Sequence, residues 1–180
     1  IDGATVGVRI DGGSPVLTVN TITNVGKEFQ QVSTADPVYT DNTFDADLES
    51  LVIGVSGNMN SSAATTYRWD NIQGLPTVYL IESDFTVGSN ATLEIDPGVV
   101  VKFKVDLSNL WGGYERTTRM FVNGALVSLG TAELPVIFTS GRDDSVGGDS
   151  NEDLDATLPA KGDWGYIKLV GPGSQLNNVE

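Results

Sequence analysis

The chain has 180 residues, 39% of them hydrophobic, which is long enough to bury one sizeable core. Its 24 acidic and 10 basic residues leave a formal charge of −14, which argues against a nucleic-acid partner, because affinity for a phosphate backbone comes from Lys and Arg displacing counterions. With no Cys and no His, Ser-His-Asp and Cys-His catalysis and the common zinc sites are excluded, and no apolar run approaches the roughly 20 residues of a membrane helix.

The 21 glycines, only 7 prolines and many Val, Thr, Ile and Asn residues favour short strands joined by tight turns. A mostly β protein is expected. The lack of Cys leaves the compartment open, since exported β-proteins also stabilise themselves by stacking and by metals. No basic-then-apolar leader precedes Ile1, so a processed or excised segment of a longer protein is expected.

The N-terminal third carries an internal repeat: Pro15-Val16-Leu17-Thr18-Val19-Asn20-Thr21-Ile22 recurs 22 residues on as Pro37-Val38-Tyr39-Thr40-Asp41-Asn42-Thr43-Phe44. That spacing suits one coil of a parallel β-solenoid, three short strands separated by turns. The offset lays Val16 over Val38 and Ile22 over Phe44 as inward apolar stacks, and Asn20 over Asn42 as a ladder at a corner. Val8 to Gly13 and Ile53 to Asn58, each an alternating strand ending in a Gly-containing turn, lie 45 residues apart, about two coils. Residues 1–60 are therefore expected to be stacked coils. Residues 61–76 lose the pattern and are expected to form a boundary segment, with Trp69 covering the open end of a core.

Residues 77–180 are expected to form a second β-helical segment. Strands are predicted at Thr77–Ile81, Asp84–Val87, Ala91–Ile95 and Val99–Lys104, punctuated by Gly88-Ser89-Asn90 and by the turn Asp96-Pro97-Gly98. Within Val99–Lys104 one face is apolar and the other mixed, which predicts a half-buried strand. Residues 105–120 are predicted to project as a loop. Its Trp111-Gly112-Gly113-Tyr114 run reads either as a hydrophobic cover or, through Trp111 and Tyr114, as a carbohydrate-binding surface. Strands return at Phe121–Leu129 and Pro135–Thr139, then at Trp164–Val170 and Leu176, where the pattern stops as if another coil were beginning.

Between the last two groups lies a second, acidic insertion, 141–163, with seven acids against Arg142 and Lys161. Asp149, Asn151, Asp153 and Asp155 occupy alternate positions, a spacing that lets a curling loop aim several oxygens at one hard cation. A helix-loop-helix calcium site would need Gly at the position of Leu154 and Glu at that of Ala160, so further ligands are required. Asp143 and Asp144, carried back by Gly147-Gly148, are the candidates. Calcium and a metal-free solvated loop are the two readings of this segment.

Several segments together resemble a known family, the bacterial surface and secreted proteins built as right-handed parallel β-helices of pectate-lyase-like architecture. The resemblance is carried by residues 91–103, whose Ile95-Asp96-Pro97-Gly98-Val99 is similar to an opening coil. Val122-Asn123-Gly124-Ala125-Leu126 with Gly130-Thr131-Ala132 is similar to a second coil, Pro135–Ser140 continues it, and the acidic insertion and Gly162-Asp163-Trp164 follow. The resemblance implies an all-β, right-handed parallel β-helix (solenoid) with inserted loops, at the cell surface or outside the cell. This scaffold carries lyases, hydrolases, adhesins and passive stalks alike, so it does not decide function.

Lyase chemistry would pair calcium with a basic residue, for which Arg142 is the local candidate. The acids nevertheless sit in one contiguous insertion rather than across stacked coils. No catalytic residue is assigned. The expected function is a non-catalytic, calcium-stabilised structural module whose partners are neighbouring coils or identical subunits end to end. The alternative is a carbohydrate-binding or polysaccharide lyase-like module acting on a cell-surface polysaccharide.

Overall fold

The structure, a computed structural model, describes residues 1–106, 116–154 and 156–180. Sixteen strands, numbered in chain order, are found among them, with one short 3-10 turn at Ile72–Gly74 and no α-helix. No helix among the described residues is long and apolar enough to cross a membrane. The protein is all-β, and its sheets are parallel apart from one short antiparallel pair.

The largest sheet takes one strand from each successive stretch of chain: β1 (Val6–Ile10), β3 (Lys27–Val32), β5 (Leu51–Ser56), β7 (Thr77–Ile81), β10 (Val100–Phe103) and β14 (Ile137–Ser140). All its neighbours run parallel, in the order 1-3-5-7-10-14. A second parallel sheet holds β6 (Thr65–Trp69), β9 (Ala91–Ile95), β13 (Ala125–Leu129) and β16 (Gln175–Asn177). A third holds β8 (Phe85–Val87), β12 (Arg116–Val122) and β15 (Trp164–Leu169), with β11 (Val105–Asp106) antiparallel to β12. At the N-terminal end β2 (Val16–Thr18) lies parallel to β4 (Val38–Thr40).

Register turns this pairing into stacked rows. Val8, Phe29, Ile53, Tyr79, Val101 and Phe138 stand one over another across the six-stranded sheet. All but Val8 are buried or nearly so, and Val8 packs against the same core. Each fully buried aliphatic or aromatic side chain stabilises the stack by roughly 1.5–3 kcal/mol relative to exposure. Phe29 and Tyr39 lie 4.5 Å apart between ring centroids, and Trp69 stacks on Tyr79 at 4.8 Å. Trp69 is thus an interior residue among Tyr79 and Phe85 rather than a cover on an open end.

The 22-residue repeat is a true structural repeat, because Val16 pairs with Val38, Leu17 with Tyr39 and Thr18 with Thr40. The inward assignment of its first apolar pair needs correction. Val16 and Val38 are 67% and 48% exposed, while Leu17 and Tyr39 pack on the core. Side chains alternate along a strand, so a strand only three residues long with an apolar residue at both adjacent positions does not declare its inner face. Ile22 is buried, as expected, and Phe44 packs against the same cluster.

The corner ladder forms. Asn20 donates its Nδ2 to Asn42 Oδ1 (2.9 Å), and Asn42 donates its own Nδ2 to the carbonyl of Leu17 (2.9 Å). The third rung is Gln73, whose Oε1 accepts from the Asn42 backbone N–H (2.9 Å) and whose Nε2 donates to the Asn42 carbonyl (3.0 Å). Val19 and Asp41, preceding the first two rungs, share a left-handed backbone (φ 57° and 54°), which is unfavourable for a β-branched residue such as Val19. Gln73 lies in the stretch expected as a boundary. That stretch also contains β6, which pairs with β9, while the main sheet passes directly from β5 to β7.

Residues 116–120 also depart from expectation, as β12 rather than loop. Thr118 and Met120 are buried, the Thr118 hydroxyl donates to the Lys104 carbonyl (2.7 Å), and Met120 pairs with Phe85 and Ile167. The two threonines and the flanking arginines hide a strand whose only large apolar residue before Phe121 is Met120.

Candidate metal centre

The acidic insertion leaves the sheet at the end of β14 and returns at β15. Its neck is tied by Asp163, which is buried: its Oδ2 accepts from the Ser140 hydroxyl (2.6 Å) and the Ala160 N–H (2.9 Å), and its Oδ1 from Arg142 Nη1 (2.9 Å). Trp164, the next residue, stacks on Phe103 at 4.4 Å. Arg142, the local candidate for a catalytic base, is thereby committed to an ion pair with Asp163.

Beyond the neck, Asp143 closes a turn. The Ser145 N–H (3.2 Å) and hydroxyl (2.5 Å) donate to its Oδ1, and the Thr139 hydroxyl donates to its Oδ2 (2.6 Å). Burial pushes the Asp143 carboxyl up, but the hydrogen bonds from Ser145 and Thr139 outweigh it, and the group is held below its ordinary range. Gly147 and Gly148 then take consecutive left-handed conformations, φ 65° and 62°. A Cβ at Gly147 would stand 2.5 Å from Val78 Cγ2, so the chain presses directly against β7 and only glycine fits.

The curl that follows brings three acids together. Asp149 accepts the N–H groups of Asp153 (3.2 Å) and Leu154 (2.9 Å), which bends the chain back on itself. Asp153 accepts the Ala156 N–H (3.1 Å), the Asn151 Nδ2 (2.9 Å) and the Thr157 hydroxyl. The Thr157 hydroxyl bond is the main cause that holds the Asp153 carboxyl below its ordinary range. One carboxylate oxygen from each of Asp144, Asp149 and Asp153 lies within 4.8 Å of the other two.

Of the six residues proposed from sequence, the structure therefore groups Asp144, Asp149 and Asp153. Asp143 turns to Thr139 and Ser145, and Asn151 joins the group through its hydrogen bond to Asp153. Asp155 lies outside the described residues, as do Trp111 and Tyr114, the candidate carbohydrate-binding pair.

Sequence reading missed Lys102. Val100 and Lys102 were expected on the exposed side of a half-buried strand, yet Val100 is 6% and Lys102 0% exposed, because the insertion lies over them. Lys102 Nζ donates to the Gly148 carbonyl (2.5 Å). Burial pushes the Lys102 ammonium down from its ordinary value, opposed by the charges of Asp144, Asp143 and Asp149, so this cation is the internal counterion of the acidic curl. The signal in the sequence was the rarity of a lysine between Val101 and Phe103, two positions that face the core.

Beside the curl, a cavity of about 460 Å³ opens between sheet and insertion, lined in part by Lys27, Lys104, Arg142, Glu152 and Asp153. Lys27 is paired there with Glu82 (2.8 Å), which also accepts from Gln30 (2.8 Å). The Glu82 carboxyl, pushed up by burial, is brought below its ordinary range by the bonds from Lys27 and Gln30. Chemically, the site offers oxygen donors only, a set suited to a hard cation and not to zinc. In comparisons with known proteins, the chain matches no family model, no curated protein and no solved structure.

Proposed function

We propose that the chain is a non-catalytic structural module of an extracellular or cell-surface protein, a right-handed parallel β-helix forming a rod, with calcium ordering its largest insertion. The observation that carries this reading is the placement of Asp144, Asp149 and Asp153 within 4.8 Å of one another on an insertion that, among its described residues, forms no strand and lies against the main sheet. Calcium takes six to eight oxygen ligands in flexible geometry, and three carboxylates supplemented by carbonyl oxygens or water fit that demand. Bound there, the ion would neutralise the mutual repulsion that Lys102 only partly offsets.

Thermal unfolding with calcium against chelator tests the reading. A cation bound only by the folded state stabilises it by about 2.7 kcal/mol at 100 times its Kd, so a clear rise in Tm is expected. An unchanged Tm at millimolar calcium sinks the calcium assignment.

Assembly end to end belongs to the same proposal. β1 is an outer strand of the six-stranded sheet, paired on one side only among the described residues, and such an edge invites further strands. Leu169 and Leu176, whose partners across β15 and β16 are Val122 and Ser128, are both 45% exposed and would be covered by another coil or subunit. Sedimentation of the protein across a concentration series, with electron microscopy of the densest sample, should reveal chains of subunits. Monomers throughout would refute assembly.

A further inference from the structure

The insertion also alters the face it lies on. Strands β5, β7 and β10 are apolar outward as well as inward: Val52, Val78, Leu80 and Val100 form a cluster separate from the core, joined by half-buried Ile137 and by Val146 of the insertion. On a bare sheet such an outward row would meet water, yet Val78 is 0% and Val100 6% exposed. The tip Val146-Gly147-Gly148 provides the cover, pressed so close that no side chain fits at Gly147.

What holds this cover differs from what holds the coils. The strands are joined by ladders of main-chain hydrogen bonds, but residues 144–162, among those described, form no strand and make no main-chain to main-chain hydrogen bond to one. The tip is fastened by two side chains, the Ser50 hydroxyl to the Gly147 carbonyl (2.5 Å) and Lys102 Nζ to the Gly148 carbonyl (2.5 Å), and by the packing of Val146. A segment with few apolar contacts and no ladder opens at far lower free energy than the strands beneath it.

We infer that residues 144–154 are a strap that opens and closes as a unit over the outward apolar row, with Val146 as its latch and Ser50 and Lys102 as its catches. Closed, it hides Val52, Val78 and Val100; open, it presents them to solvent while the coils stay stacked. The strap carries Asp144, Asp149 and Asp153 on the same curl, immediately on either side of the tip. A cation there favours the closed form, a coupling that rests on the calcium reading above; the strap itself does not.

Hydrogen exchange read by mass spectrometry on the full chain, with bis-ANS fluorescence beside it, tests the inference. Val146→Asp puts a charge into the latch and is expected to raise exchange in residues 144–154 by roughly tenfold or more and to increase dye binding, while β7 and β10 keep their protection. Ser50→Ala, which removes one catch, is expected to act in the same direction by a few-fold. Leu158→Ser, at a position 76% exposed, adds no charge, is the control and should change neither readout.

The inference is overturned if Val146→Asp leaves strap exchange at the wild-type rate, or if β7 and β10 lose protection together with the strap. Calcium separates the two proposals. Slower strap exchange in its presence supports both, whereas no effect of calcium on exchange or Tm, with the strap still opened by Val146→Asp, removes the cation and leaves the strap standing.

Discussion

The corner at Asn20, Asn42 and Gln73 and the acidic curl at Asp144, Asp149 and Asp153 are both polar clusters on a parallel stack, yet they are satisfied in opposite ways. At the corner each amide donates to, or accepts from, the rung above or below, across 22 and then 31 residues of chain. In the curl, Asp149 and Asp153 bond to groups at most five residues away. The corner therefore belongs to the stack and should melt with it. The hydrogen bonds of Asp149 and Asp153 stay within the curl, so it can be altered locally, and the proposed cation and opening motion both belong there.

The largest expected effect tests the stacked side of this comparison. Phe29→Ala, in an interior row against Tyr39 and Phe44, should lower global stability by about 3–5 kcal/mol in chemical denaturation, with corner and sheet lost in one transition. Separate transitions for the N-terminal coils and the rest would show that the corner is not part of one cooperative stack.

Asn42→Ala should cost about 1–3 kcal/mol, since Asn42 is buried and truncation takes a partner from the Leu17 carbonyl and from the backbone and side-chain N–H groups of Asn20. Asn20→Ala, at the exposed end of the ladder, should cost less; equal losses would mean that the rungs do not act in sequence.

A gain is expected from Val19→Asn. Val19 is 77% exposed and left-handed, so the substitution discards almost no packing and relieves backbone strain, for an increase of roughly 1 kcal/mol measured by the denaturation midpoint. A loss there would show that the Val19 side chain has a packing role after all.

The smallest effect concerns the wall between sheet and insertion, where Glu82 meets Lys27 and Gln30. A carboxyl held below its ordinary range in the folded chain contributes stability that is complete above the unfolded value of about 4.3, and that is lost as pH falls through the lower, folded value. Glu82→Gln should therefore flatten the acid limb of the stability curve by up to about 1 kcal/mol and leave neutral pH almost unchanged in slope. An identical acid limb in the variant would assign the acid sensitivity to other groups. Glu28 opposes Glu82, because burial raises its carboxyl and favours the protonated, folded form.

Much of this molecule is legible in its sequence. The 22-residue period, the pairing of Val16 with Val38, the 45-residue offset that sets the Val8 strand two sheet positions from the Ile53 strand, the Asn20–Asn42 ladder and nearly every strand from Thr77 onward follow from repeat spacing and turn residues, because a stacked strand must place equivalent residues at equivalent heights. Strand β12 escaped because its threonines and arginines carry little apolar signal, and Gln73 because it shares no residue type with the other rungs. For the acidic insertion, composition marked the segment but not its partners. That Asp144, Asp149 and Asp153 converge while Asp143 turns away depends on hydrogen bonds from Thr139, Ser145 and Thr157 that no spacing rule supplies.

Sequence alone determined the repeat and its register, since these are one-dimensional properties of where apolar and turn residues fall. Only the tertiary structure decided which face each row presents and which rows are covered twice. Val16 and Val38 point outward because Leu17 and Tyr39 fill the core, and Lys102 is buried because an insertion some 40 residues further along the chain folds back over its strand. Burial of that kind is settled by volumes and charges brought together from distant parts of the chain, and a local pattern carries no trace of it.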